Sequence, residues 1–218
     1  MDELLDGGIP EGKSLAYYIL PGVDGEIFGL QTVYNTLNNG GTGVFVVSSM
    51  SPDIIRDKIR DINPCYELNK DYLFFVDSYN PLIGNQSKEK YVISNPNNIE
   101  EFNNTIINLL KEFPPSTIVF GSLSTIMDLC GEKETIEAVK TWNNLAKLYG
   151  HILVYYFTAW PYSPETMNLI RNQLFNAVIT IGCIVEHMIF NQYFEILKLD
   201  WKNETQANGF CFLTHKQG

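Results

Sequence analysis

The chain has 218 residues, 45% of them hydrophobic, enough for a single domain over 1–218 with a sizeable core. Its formal net charge of −10 argues against non-specific nucleic-acid binding, which needs clustered Lys and Arg to displace counterions. No apolar run has the length of a membrane span, and the acidic "MDELLDGG" is unlike a signal peptide, so a cytoplasmic location is expected.

The apolar, β-favouring "KSLAYYIL" (13–20) predicts a first strand. A Pro-Gly turn follows, then a helix with Ile27, Leu30, Tyr34 and Leu37 on one face, ending at Asn38-Asn39-Gly40-Gly41. "GVFVVSS" (43–49) reads as a buried second strand. "SPDIIRDKIRDI" opens a helix with Ser51 as N-cap, Pro52 in the first turn, and Ile55, Ile59 and Ile62 facing inward. "YLFFVDSY" (72–79) predicts the third strand, followed by a polar loop. The next helix carries Ile99, Phe102, Ile106, Leu110 and Phe113, and stops at Pro114-Pro115.

"STIVFGSLS" (116–124) reads as the fourth strand, with Ser122 and Ser124 as strand-end hydroxyls. A helix over 132–149 ends at Gly150, and "HILVYYFT" (151–158) predicts the fifth strand. Ser163-Pro164-Glu165 starts another helix, carrying Met167, Ile170 and Leu174. From Ala177 the pattern changes to strands joined by short turns, "AVITIGCIVEHMIF", "YFEILKLDW" and "GFCFLTH". Continuous apolar strands alternating with helices predict an α/β fold, with a mostly parallel sheet covered on both faces and antiparallel hairpins at its end.

The four cysteines, Cys65, Cys130, Cys183 and Cys211, make no CxxC pair and are expected as free thiols. His151, His187 and His215 have no HxxxH or HExxH spacing, so no metal site is expected. The Asn-x-Ser/Thr matches at Asn85, Asn103 and Asn203 are expected accidents of an asparagine-rich chain.

The order of these segments resembles the RecA-type ATPase domain of the KaiC and RadA group over nearly the whole chain. "MDELLDGGIPEGKSLAYYI" is similar to that family's opening, and "VFVVSSMSPDIIRDKI" to its second strand and a Ser-Pro-acidic helix start. "LFFVDSYNP" and "IVFGSLSTIMDL" resemble its third and Walker B strands, and "FNAVITI…YFEILKLDW" its closing hairpins. The resemblance implies a RecA-like P-loop NTPase fold from an archaeon or bacterium, assembling with itself or a related RecA/KaiC-family ATPase.

The family's motifs are degenerate here. In the Walker A loop, G-x-x-x-x-G-K-[ST], backbone amides cradle phosphates, the lysine reaches the β and γ groups and the hydroxyl holds Mg²⁺. Aligned from Leu30-Gln31, the loop positions Gly22, Val23, Asp24, Gly25, Glu26 and Ile27 put Gly25 at the lysine, Glu26 at the hydroxyl and Asp24 at the preceding glycine. One positive charge is replaced by two carboxylates. A unit pair about 4 Å apart near a surface is worth on the order of 4 kcal/mol. A three-unit swing therefore offsets the roughly 8 kcal/mol of a micromolar complex. Asp24 and Glu26 either fill the anion site themselves or are ordinary acids at a helix N-terminus.

The Walker B aspartate falls on Gly121, and the Glu-Glu pair ending the second strand on Ser49 and Met50. The late Lys-x-Arg becomes Lys198-Leu199-Asp200. These losses imply a pseudo-ATPase with no catalytic residues, no metal and no cofactor, acting through protein contacts. The alternative is an ATP- and Mg²⁺-binding sensor in which Asp24, Glu26 and Asp77 hold the cation. Single-stranded DNA binding ranks last, because "DLCGEKET" and "AWPYSPE" are neither basic nor glycine-rich.

Open α/β sheets bind ligands at the C-terminal edge of their strands, so Asp77, Lys198 and Trp160 form a candidate sheet-edge site. Asp77 also has a structural reading, and Asp128 reads as a solvated helix acid. Trp160 and Tyr162, on the loop after the fifth strand, are either a binding patch or partly buried against the next helix.

Overall fold

A computed structural model of the chain describes residues 5, 7–23, 25–62, 72–186, 189–202 and 210–213. Strand β1 (Ser14–Ile19) runs into α1 (Glu26–Asn38), and β2 (Thr42–Val47) into α2 (Pro52–Ile62). Next come β3 (Leu73–Asp77), the one-turn α3 (Tyr79–Leu82), the two-residue β4 (Tyr91–Val92) and α4 (Ile99–Glu112). After β5 (Ser116–Phe120), α5 (Leu123–Cys130) and α6 (Glu132–Tyr149) lead to β6 (Ile152–Thr158) and α7 (Pro164–Asn172). The described chain closes with β7 (Ala177–Glu186), β8 (Ile189–Leu199) and β9 (Phe210–Leu213).

The strands form one sheet in the order β4-β3-β2-β5-β6-β1-β7-β8-β9. Pairing is parallel from β4 to β7 and antiparallel at β7–β8 and β8–β9. This is the α/β, RecA-like architecture expected from the alternation of apolar strands and helices. Parallel strands need helical crossovers, and those helices cover both faces, which is why β1, β2 and β5 are buried along their whole length.

The two-residue strand period sorts the core. Leu15, Tyr17 and Ile19 face α1 and α2, while Ala16 and Tyr18 face the side built by α4, α5, α6 and α7. On that second side Trp142 stacks on Phe120 (5.0 Å between centroids), and Phe120 on Tyr155 (4.5 Å). The polar tips of the outer two rings are satisfied: Trp142 Nε1 donates to Asn103 Oδ1 (2.9 Å) and the Tyr155 hydroxyl to Asn143 Oδ1 (3.0 Å).

Four details differ from the expectations. β7 ends at Glu186 and β8 begins at Ile189, so "AVITIGCIVEHMIF", expected as one strand, is divided between two because its continuous apolar run carries no turn residue. The fourth strand ends at Phe120. Ser122 instead caps α5, accepting the Thr125 N–H at 3.1 Å, so "SLSTIMDL" is helical. The polar loop after β3 contains α3 and β4. On α1, Ile27 is 46% exposed and the buried residues are Phe28, Leu30, Val33 and Leu37. Leu30, Val33 and Leu37 share one helical face, whereas Phe28 lies about 200° around the helix from Leu30; it is buried in the first turn, where its ring stacks on Tyr17 (5.5 Å).

His151 is a buried structural clamp. Its Nδ1 accepts the Ser116 N–H (3.1 Å), which leaves the proton on Nε2 to be donated to the Leu110 carbonyl (2.8 Å). Burial pulls its pKa below the ordinary histidine value. A depressed histidine pKa leaves the unfolded chain with more protons in acid. Its stabilisation is therefore complete above about pH 6.5 and falls as pH drops toward the folded-state value. Urea denaturation at pH 7.5 and 5.5 should show wild type losing stability in acid, with the loss reduced in His151→Gln, whose amide can make both hydrogen bonds without titrating.

Candidate functional site at the carboxyl edge of the sheet

The segment joining β1 to α1 is a tight turn. The Val23 N–H donates to the Leu20 carbonyl (3.3 Å), with Pro21 second and Gly22, at φ +85°, third, the pattern of a type II turn. Gly25 is the N-cap of α1, has no side chain to cap with, and the Phe28 N–H turns back to its carbonyl (3.4 Å). Glu26 is the first helical residue; its side chain and the whole of Asp24 lie outside the described residues.

Gly25 is closely covered. A Cβ added there would stand 2.7 Å from both Cγ1 and Cδ1 of Ile19 and 3.1 Å from Cδ1 of Ile181. Ile19 ends β1 and Ile181 lies beside it in β7, so the clash comes from the buried sheet itself.

Hydroxyls at the end of β2 tie it to the end of β5. The Ser49 hydroxyl donates to the Gly121 carbonyl, and the Ser48 hydroxyl to the Ser122 carbonyl (3.0 Å). The Gly121 N–H returns to Val46 O (2.8 Å), and a Cβ on Gly121 would approach that same carbonyl at 3.3 Å. Met50 is partly buried against the α1/α2 side of the core.

Between these junctions and the loop after β6 opens a cleft of about 500 Å³. Val23, Gly25, Ser49 and Gly121 form one side, and Asp128 and Trp160 the other. Asp128 is the one charged side chain among the described residues that line it.

The far wall is held at several points. The Ser124 hydroxyl donates to the Thr158 carbonyl (3.1 Å) and accepts the Thr158 N–H (2.8 Å), tying α5 to the end of β6. The Tyr162 hydroxyl donates to Asp128 Oδ1 (2.8 Å); burial first, then that carboxylate, push its pKa far above the usual tyrosine value. Glu132 accepts from the Ser163 hydroxyl (2.8 Å) and N–H (3.2 Å). Hydrogen bonds from Thr166 and then Ser163 hold its carboxyl below the usual carboxylate range.

The expected trio Asp77, Lys198 and Trp160 is not brought together. Asp77 is fully buried and saturated: it accepts from the N–H groups of Tyr79 (2.9 Å) and Asn80 (3.0 Å), from Asn80 Nδ2 (2.6 Å) and from the Ser87 hydroxyl (2.6 Å). Lys198 sits beside Val178, near the start of β7, because β8 runs antiparallel. Its ammonium donates to the Phe175 carbonyl (2.7 Å) and pairs with Asp200 (3.4 Å). Trp160 does line the cleft and is 57% exposed.

Asp128 lies within α5, joined to Tyr162 across the cleft wall. Sequence reasoning understated this pair because it extended the strand over the start of α5. Ser122 followed by the Leu123, Ile126, Met127 spacing was the available helix signal. No group of three or more metal-binding side chains occurs among the described residues. Cys65, His187 and His215 lie outside them, and Cys130 and Cys183 are free thiols. No helix among the described residues is long and apolar enough to cross a membrane.

Residues 1–159 match the family model described as "ATPase: KaiC". The chain belongs to the KaiC ATPase family. Relatives of this KaiC-family chain are UPF0273 proteins. That of Saccharolobus solfataricus is 31% identical over 131 residues, covering 58% of this chain and 46% of that protein. Those of Pyrococcus horikoshii and Thermotoga maritima are each 28% identical over 131 residues, covering 58% of this chain and 52% and 53% of theirs. The chain thus spans about half the length of the curated relatives it matches.

Gly25→Ala should destabilise the protein by about 1–3 kcal/mol in urea unfolding, through overpacking and the poorer N-cap propensity of alanine. Combining it with Ile19→Ala isolates the packing part, because only that part is relieved by the space the smaller residue leaves. The double variant should lose clearly less stability than the two single losses added together. Strict additivity would show that Ile19 does not close the position.

Proposed function

We propose that this KaiC-family chain is a pseudo-ATPase, a regulatory or scaffolding partner that works through protein contacts at the carboxyl edge of its sheet. The observation that carries the reading is the closure of Gly25. In the Walker A alignment this is the lysine position, and any residue with a Cβ meets Ile19 there at 2.7 Å. Ile19 itself falls six residues earlier, on the first glycine of the pattern, and its side chain takes the space that a glycine leaves open.

Other features support the same reading. The turn at Leu20–Val23 spends the Val23 N–H on the Leu20 carbonyl, so that donor is turned away from any phosphate. Asp24 and Glu26 add negative charge to the loop, and Ser49 and Gly121 stand where the family places a base and a metal-orienting carboxylate. Nucleotide and Mg²⁺ therefore fit this set of residues poorly. A metal-bridged sensor is disfavoured by Asp77, whose carboxylate already accepts four hydrogen bonds. The expected partner is a second copy or a related KaiC-family ATPase.

With the purified full chain, Mg²⁺ and ATP should produce no turnover and no rise in melting temperature. Added to an active KaiC-family ATPase from the same organism, the chain should change that enzyme's turnover or assembly. The reading is overturned by ATP hydrolysis that disappears in Glu26→Ala, or by a saturable melting-temperature rise with Mg·ATP.

A further inference from the structure

Trp160 is an exposed indole on a loop that is not free to fold it away. The Trp160 backbone N–H donates to the Thr158 carbonyl (2.8 Å), its backbone carbonyl accepts the Tyr162 N–H (2.7 Å), and the Ala159 N–H is tied to Ile19 O (2.7 Å). Pro161 restricts Trp160 further, since the residue before a proline is pushed into extended backbone. Two consecutive three-residue hydrogen-bonded turns followed by the Ser163–Glu132 anchor therefore hold the Trp160 backbone in one arrangement. A large aromatic 57% exposed on a cleft rim, on a backbone already tied down, is an anchor for which the loop's ordering cost is met before binding.

The cleft's chemistry selects what the anchor receives. Asp128 contributes a carboxylate, and no Lys or Arg is among the described residues that line it. The hydroxyls of Ser49, Ser122 and Ser124 are engaged with backbone groups. The adjoining loop adds Asp24 and Glu26 in sequence, and the chain as a whole carries −10. An anion is repelled on each of these counts. A cation gains a carboxylate and an aromatic face together, and a planar guanidinium can stack on indole while donating to a carboxylate.

We infer that the cleft between Trp160 and Asp128 receives an arginine side chain from a basic partner protein. The inference rests on the regulatory reading above and narrows its partner. Of the two partners named above, a related ATPase with a basic surface fits this acidic cleft better than a second copy of a chain that itself carries −10.

The test uses the full-length protein and N-acetylarginine amide, followed by NMR of the indole N–H signals, with the Trp160 signal assigned by Trp160→Phe. N-acetylcitrulline amide, a neutral probe of nearly the same shape, is the control. Arginine amide should shift the Trp160 signal saturably, leave buried Trp142 unmoved, and bind about fivefold more tightly than the citrulline probe. Asp128→Asn should erase that preference, and added salt should weaken it. The assignment is overturned if the indole does not respond, if both probes bind alike, or if Asp128→Asn keeps the preference. It is also overturned if sedimentation shows a self-association that Trp160→Ala abolishes. Turnover or binding of Mg·ATP, by contrast, would strike the regulatory reading while the arginine–citrulline contrast still judged the cleft.

Discussion

Strand β1 lies hydrogen-bonded between β6 and β7 and is buried from end to end, and the geometry of the candidate site follows from that constraint. Parallel pairing on both sides brings the carboxyl ends of β1, β5 and β6 to one edge. The period of two then sends Ile19, the last residue of β1, toward α1 together with Ile181 of β7. Between them they leave no room for a Cβ at the start of α1, and Gly25 stands at that point. The first turn of α1 can approach the sheet closely only because that residue is glycine.

The same edge is tied together by short local hydrogen bonds. The ends of β2 and β5 are joined by the hydroxyls of Ser48 and Ser49, which satisfy the carbonyls of Ser122 and Gly121. The Asp77 carboxylate is occupied internally, because α3 and the loop to β4 are organised around it. The polar groups that remain open to the cleft lie on the other wall, on α5 and on the rigid loop after β6.

The strands, most of the helices and the C-terminal hairpins were legible in the sequence because apolar periodicity records burial directly. Ser51-Pro52 and Ser163-Pro164 announced their helices through capping chemistry, and Gly150 its helix end in the left-handed conformation. The start of α5 was missed because "GSLS" continues an apolar run, and a short helix cannot be told from a strand end by pattern alone. The burial of Phe28 in place of Ile27 on α1 was not legible, since Ile27 and not Phe28 shares a helical stripe with Leu30 and Leu37. The ring of Tyr17, on another element, decides it.

Taken alone, the sequence determined the α/β class, most of the order of elements and the family resemblance, because those depend on residue type and spacing along one chain. Only the tertiary structure decided that Ile19 and Ile181 close over Gly25, that Asp77 is used up internally, that Lys198 lies away from the site, and that Trp160 and Asp128 share a cleft. Those facts depend on the direction and register of strands far apart in sequence, which side-chain periodicity does not encode.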